Sequence, residues 1–374
     1  MILVRLYPFV FIDNEKSKIL LYNTMIPSFH IFEMEGVITI SNRNTISMEF
    51  TNANAKVARD IELYNYGISE RKWQDSEMGL SDYSTEIYEG LKFLLENVYN
   101  DAKTLVKRLF INLSNSIDVF TGYKKDIHKC RMVNFGYELK CHIFEFTSLT
   151  CVVFFIDKQS FPLFQEYYKG ILPLYKIEVV IPLFDYLVLS EALGKLGICN
   201  VTMLVYDIGK ESICKLLPLL ECDNVAQIDF YVSKEVDFCL LDKYGLLGNS
   251  KVRIKISPKS DFIELEKILS YDTKQLLTMR VFKNRCIRNE LVNLNFWGDL
   301  YIDERGNMLL NPQKTIGNIS KWNNINFHEL ISEGSLWIET RRKKDKCRGC
   351  LFRAICPPIS LVEKIFNSTF CNIK

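Results

Sequence analysis

The 374-residue chain has no stretch approaching the ~20 consecutive apolar residues that a membrane-spanning helix requires. It also lacks an excess of charge of either sign. Forty-seven basic against 45 acidic residues leave +2, so no strong field is set up for nucleic acid or an anionic membrane, and both are excluded as partners. Histidine is scarce, at four residues, and none stands in an H-E-x-x-H pair. A G-x-G-x-x-G opening a helix, a P-loop and a G-x-S-x-G elbow are absent as well. Acidic pairs such as Asp60/Glu62 and Asp299/Asp303 fall in polar stretches, with no apolar pocket expected to raise a carboxyl pKa. No catalytic residue is assigned. The apolar opening from Met1 to Ile12 is broken by Arg5 and Pro8, and no small-residue cleavage site follows it. It reads as a strand rather than a signal peptide, which places the protein in the cytoplasm.

What is present is ordinary globular composition, 48% apolar and 25% charged, with length for two or three domains. Near the start, Tyr7–Asp13 and Ile19–Asn23 read as strands joined by the polar turn Asn14–Lys18, with a third strand at Gly36–Ile40. Apolar spacing predicts a helix over Ile87–Val98 and a second through Leu105 and Leu109. From Cys141 strands alternate with helices. Cys151–Ile156, Tyr175–Ile181, Val201–Tyr206, Ala226–Val232 and Lys251–Ile256 recur about every 25 residues, the βα rhythm of a parallel sheet with helical cover. Adding Leu139–Phe146 makes six strands, too few for a closed eight-stranded barrel but suited to an open one. Beyond Asn284 the rhythm stops, and Phe296–Pro312 reads as a hairpin turning at Asp303–Gly306.

Of twelve cysteines, eight are scattered, mostly in apolar surroundings, and read as small buried hydrophobes. His128, Cys130 and His142 are better explained as separate surface and core residues than as a metal set. The other four cysteines crowd the tail as Cys347-x2-Cys350-x5-Cys356 followed by Cys371. A C-x2-C pair brings two thiolates to one ion, and Gly349 eases the turn between them. Two more sulfurs complete a shell suited to zinc or to an iron–sulfur cluster. The basic run Arg341–Arg348 would favour thiolates, with a solvated basic face as the equal alternative.

The hairpin and cysteine tail resemble a SPASM domain, the C-terminal auxiliary-cluster domain of radical S-adenosylmethionine peptide maturases. That family's pattern is a cysteine, G-x4-C, C-x2-C-x5-C-x3-C and a final cysteine. Here Gly306-x4-Asn311 replaces G-x4-C, Ser360 stands where the C-x3-C cysteine belongs, and no cysteine lies near Phe296–Gly298. The resemblance implies that one of the family's two cluster sites is erased and that one four-iron four-sulfur cluster remains, on Cys347, Cys350, Cys356 and Cys371. The C-x3-C-x2-C triplet that chelates S-adenosylmethionine through an open iron is absent from the whole chain. The protein therefore resembles the pseudo-radical-SAM/SPASM proteins found beside Bacteroidales ribosomal-peptide systems with Gly-Gly leaders, Leu20–Thr24 being the weaker N-terminal part of the match.

That resemblance implies an α/β fold in three parts. A small N-terminal α+β region, 1–110, is a possible peptide-binding element; 111–284 is a degenerate partial (β/α) barrel of radical-SAM type; 285–374 is a SPASM-like metal-binding domain. No site for S-adenosylmethionine is expected. The expected function is non-catalytic, binding a ribosomally made precursor peptide, a true radical SAM maturase, or both. The alternatives are an electron-transfer or cryptic enzymatic role for the remaining cluster, and a zinc-stabilised interaction module.

Overall fold

The computed structural model of the chain describes residues 2–7, 10–15, 18–25, 28–33, 38–42, 45–50, 55–64, 66–69, 91–92, 95–96, 102–125, 133–171, 174–260, 266, 270, 272, 275–276 and 279–371. Seven strands form two small antiparallel sheets near the N-terminus: β1 (Ile2–Leu6), β2 (Val10–Glu15), β3 (Lys18–Asn23), β4 (Ser28–Glu33), β5 (Ile38–Asn42), β6 (Thr45–Phe50) and β7 (Gly67–Ser69). One sheet has the order β5-β6-β1-β7 and the other β2-β3-β4. The expected hairpin is thus β2–β3. Its third strand is β4, whereas the strand expected at Gly36–Ile40 is β5 and belongs to the other sheet. The helix expected over Ile87–Val98 lies mostly outside the described residues.

β3 is apolar on both faces, and each face has its own task. Ile19 and Leu21 pack into a core with Val4, Met48, Phe50 and Ile61 of the neighbouring sheet and its helix Ala55–Leu63. Leu20 and Tyr22 point the other way, onto Leu351, Phe352 and Ile355 of the cysteine tail. Period-two alternation separates the two sets, so one strand joins the two ends of the chain.

The main body is a nine-stranded sheet. In chain order its strands are β8 (Arg108–Asn112), β9 (Cys151–Phe155), β10 (Lys176–Pro182), β11 (Val201–Val205), β12 (Val225–Val232), β13 (Val252–Ile256), β14 (Asp299–Ile302), β15 (Asn307–Asn311) and β16 (Lys314–Asn318). β8 to β13 lie side by side in sequence order, every pair parallel. Helices Phe161–Ile171, Leu183–Lys195, Lys210–Leu216 and Glu235–Lys243 connect β9 to β13. The five strands expected from the βα rhythm are β9–β13. The sixth is not Leu139–Phe146, which is helical (Gly136–His142, then a 3-10 turn Ile143–Glu145), but β8, where a helix through Leu105 and Leu109 was expected.

The expected C-terminal hairpin is β14–β15, turning at Gly306 with φ +79°. β14 also pairs parallel with β8, so the hairpin extends the same sheet. The boundaries expected at 110/111 and 284/285 fall inside β8 and inside helix Lys283–Leu291. Leu109, Val152, Val179, Met203 and Ile228 form one apolar face beneath the helices. Phe110, Val153, Val180, Leu204 and Tyr231 lie on the opposite face. Among the described residues, no helix is long and apolar enough to cross a membrane.

Candidate metal centre

The short helix Asp345–Arg348 carries Cys347, and two tight turns follow, Cys350 N–H donating to the Cys347 carbonyl (3.0 Å) and Cys356 N–H to that of Phe352 (2.9 Å). Three asparagines hold the next segment by its carbonyls. Asn289 donates to Ala354 (2.8 Å), Asn293 to Ile359 (3.0 Å) and Asn295 to Pro358 (3.2 Å). Carbonyls near a buried turn must find donors, and side-chain amides supply them where no strand can. Cys371 is drawn back to the same place. Lys346 donates to its carbonyl (2.9 Å), and Phe370 N–H donates to Glu363 (3.2 Å).

The four thiols share one electrostatic neighbourhood. Burial pushes the Cys356 thiol up to about 12, Arg341 pulls it down, and Cys350, Cys371 and Cys347 each push it further up. Cys350 is raised by burial first, with Cys371 and Cys347 adding to it. All four are free thiols. Among the described residues no three His, Cys, Asp or Glu side chains stand in a geometry that could hold a metal ion. The donor set nonetheless fits a thiolate-bound metal: four soft sulfurs, buried or half-buried, with mutual repulsion that a cation would relieve.

Arg341 is the residue that sequence reasoning resolved only in part. It is buried and pairs with both oxygens of buried Glu363 (3.1 and 3.4 Å). Its Nε donates to the Pro357 carbonyl (2.5 Å), and its guanidinium also reaches the Cys347 sulfur. Arg342 and Arg348, with exposed side chains, belong to a solvated face. The basic run therefore divides: Arg341 faces the sulfurs, Lys344 is half-buried against Glu339 (3.2 Å), and Arg342, Lys343, Lys346 and Arg348 are exposed. Arg353, which no motif flagged, binds Asp13 of β2 (2.9 Å) and Glu290 (3.3 Å) and donates to the Arg348 carbonyl (3.1 Å).

The positions where the SPASM pattern wants other cysteines have structural roles here. Ser360 accepts from Glu363 N–H while the Glu363 carboxylate accepts from Ser360 N–H, a capping box that opens helix Leu361–Ile365. Asn311 donates to the Gly334 carbonyl (2.9 Å) and accepts from Gln313 N–H (2.8 Å). His142 is held by Glu145 (2.8 Å) and stacks on Trp322, with centroids 4.4 Å apart; His128 and Cys130 lie outside the described residues.

The loop after the first parallel strand, residues 113–125, carries no cysteine and is tied across the strand ends. Tyr231 donates to the Thr121 carbonyl (2.5 Å) and Tyr206 to that of Gly122 (2.7 Å). Ser114 and Ser116 both donate to Asp157, just beyond β9. Asp299 corrects a sequence expectation: far from lying in a polar stretch, it is buried beside Arg108 (2.6 Å). Burial raises its carboxyl to about 6 despite that guanidinium. No family model matches the chain, and no curated protein matches it.

Proposed function

We propose that this chain is a pseudo-radical-SAM/SPASM accessory protein of ribosomal-peptide maturation. It holds one four-iron four-sulfur cluster on Cys347, Cys350, Cys356 and Cys371 and binds a precursor peptide, a radical SAM maturase, or both. The observation that carries this reading is the loop at 113–125. In the family this turn, after the first barrel strand, carries the cysteine triplet; here its place is taken by the Thr121 and Gly122 carbonyls, which accept from Tyr231 and Tyr206, and by the Ser114 and Ser116 hydroxyls, which donate to Asp157. The strand order supports a partial barrel. Arg108 of β8 and Lys255 of β13 line one cavity, although a flat sheet would hold these strands about 24 Å apart at ~4.8 Å per strand. That shared cavity supports a sheet curled round its second face.

A cluster with four thiolate ligands offers no open iron, so when bound it supplies electron transfer or bracing. Arg341 places a positive charge beside two of the sulfurs, and the asparagine contacts fix the backbone that carries Cys356. Anaerobically purified protein is expected to absorb near ~400 nm, the thiolate-to-iron region, and Cys371→Ser to lower its metal content. A colourless protein with one zinc makes it the zinc-stabilised module instead. Given a strong reductant and S-adenosylmethionine, the reconstituted protein should release no 5′-deoxyadenosine. Turnover-dependent release of that product overturns the reading.

A further inference from the structure

The second face of the parallel sheet, opposite the helices, borders a cavity of about 850 Å³. That volume lies within the ~300–1,000 Å³ range of small-ligand sites. Register brings alternate residues of successive strands into it. Asp299, Arg108 and Lys176 stand in or near one row, Tyr301, Phe110 and Glu178 in the next, and Asp229, Tyr231, Arg253 and Lys255 towards β13. Its cover is the tail: Leu361, Val362, Ile365, Phe366 and Phe370 all line it.

A sheet face closed only for stability would be apolar, because a buried charge is costly unless paired. This face holds three carboxylates and four cations. Asp299 takes Arg108 (2.6 Å), Asp229 takes Arg253 (2.9 Å), and Glu178 takes Lys176 (2.7 Å). Lys255 is left over, with no ion pair or hydrogen bond among the described residues. Burial lowers its pKa first of all, Asp229 offsets part of this, and Arg253 and Arg108 lower it further. The cavity thus has one surplus positive charge, in a partly dry place, facing an otherwise balanced set of ion pairs. The remaining lining is aromatic and aliphatic, with Phe110, Phe155 and Leu204 on the sheet side and the tail helix opposite.

We infer that this cavity binds a ligand with one carboxylate on an apolar body, the carboxylate meeting Lys255 and the body lying between the sheet and the tail helix. The inference stands apart from the metal, since none of the four tail cysteines lines the cavity. Two sources present this chemistry, a free hydrophobic acid and the C-terminus of a peptide with an apolar last residue.

Three probes separate the sources by calorimetry on the full chain: N-acetyl-Leu-Phe as the free acid, the same dipeptide as its C-terminal amide, and decanoate. A carboxylate on Lys255 should give the dipeptide acid about tenfold tighter binding than the amide, the scale of one charge-assisted hydrogen bond. Lys255→Gln should remove that gap, and Lys255→Arg should keep it. Decanoate binding alone assigns the site to free acids, and dipeptide binding alone to peptide ends. A second readout separates recognition from support. Without ligand, Lys255→Gln should melt no lower than the parent, because it removes an unpaired, partly buried ammonium. Equal binding of acid and amide overturns the inference, as does no binding by any probe. So does a Gln variant that melts lower and keeps the gap.

Discussion

Asp299 opens β14 beside β8 with both oxygens on Arg108, yet burial outweighs the guanidinium and raises its carboxyl to about 6. A carboxyl raised in the folded state binds its proton more tightly there than in the unfolded chain. Its contribution to stability is therefore whole below the unfolded value near 4 and is lost as pH rises through about 6. Relative to Asp299→Asn, which cannot titrate, the parent should lose about 1–3 kcal/mol of unfolding free energy between pH 4 and pH 7 and change little above. Urea melts of both proteins across that range measure the difference; parallel curves would show that Arg108 fully compensates burial. A second side chain is fixed by backbone. Gly122 has φ +67°, and a Cβ there would lie 2.4 Å from the Tyr231 hydroxyl that ties down its loop. Gly122→Ala should cost about 1–3 kcal/mol, read as a lowered urea midpoint. At this scale the sequence was legible where spacing alone brings residues together, as with Cys347, Cys350, Cys356 and Cys371, which the structure places in one electrostatic neighbourhood. It was illegible where a partner lies far along the chain. Nothing near Asp299 in sequence announces Arg108, and nothing near Arg353 announces Asp13.

Elements were legible when one period fitted and misread when two did. β9–β13 show dense β-branched and aromatic runs between turn residues, and all five stand where expected. Leu105 and Leu109 are four apart, which places them on one face of a helix but equally on one face of a strand. Burial on both faces of β8, Leu109 and Ile111 to one side and Phe110 to the other, erased the alternation that would have decided it. Leu139–Phe146 failed the opposite way. Its near-alternation suggested a strand, yet the buried residues are Leu139, Ile143 and Phe146, the i, i+4, i+7 set of a helix, with Phe144 exposed. The tail helix Leu361–Ile365 is too short to stand alone and depends on its capping box and on the Arg341–Glu363 pair. Ser360→Ala should destabilise it by about 1 kcal/mol. Hydrogen exchange should then quicken over 361–370, which cover the cavity, and stay unchanged in β9–β13. Unchanged exchange in the tail would mean that Arg341 and the thiols hold the helix without its cap.

Across the whole molecule, the two ends of the chain meet. β3 sends Leu20 and Tyr22 into the cysteine loop's core, Phe29 of β4 packs edge-on against Phe352 with centroids 4.8 Å apart, and Tyr22 donates to the Met279 carbonyl (3.1 Å). The buried Arg353–Asp13 pair pins β2 to the same loop. Each fully buried apolar side chain here is worth about 1.5–3 kcal/mol, and removing one partner of a buried ion pair costs about 3–5 kcal/mol. The N-terminal sheet is thus part of the cysteine loop's support, and deleting it would uncover that loop rather than simply subtract a peptide-binding element. With the proposed cluster on Cys347, Cys350, Cys356 and Cys371, Asp13→Ala should therefore lower the retention of metal. The converse follows by linkage, since whatever binds the folded loop stabilises all that packs on it. Anaerobic removal of the metal with a chelator should speed hydrogen exchange in β2, β3 and β4 and in residues 357–371. It should leave β9–β13 at their former rates, because none of the four tail cysteines belongs to the core beneath their helices. Exchange that quickens in the tail alone would show that the N-terminal sheet holds by its own contacts. Exchange that quickens throughout the parallel sheet would make the metal a support for the entire fold.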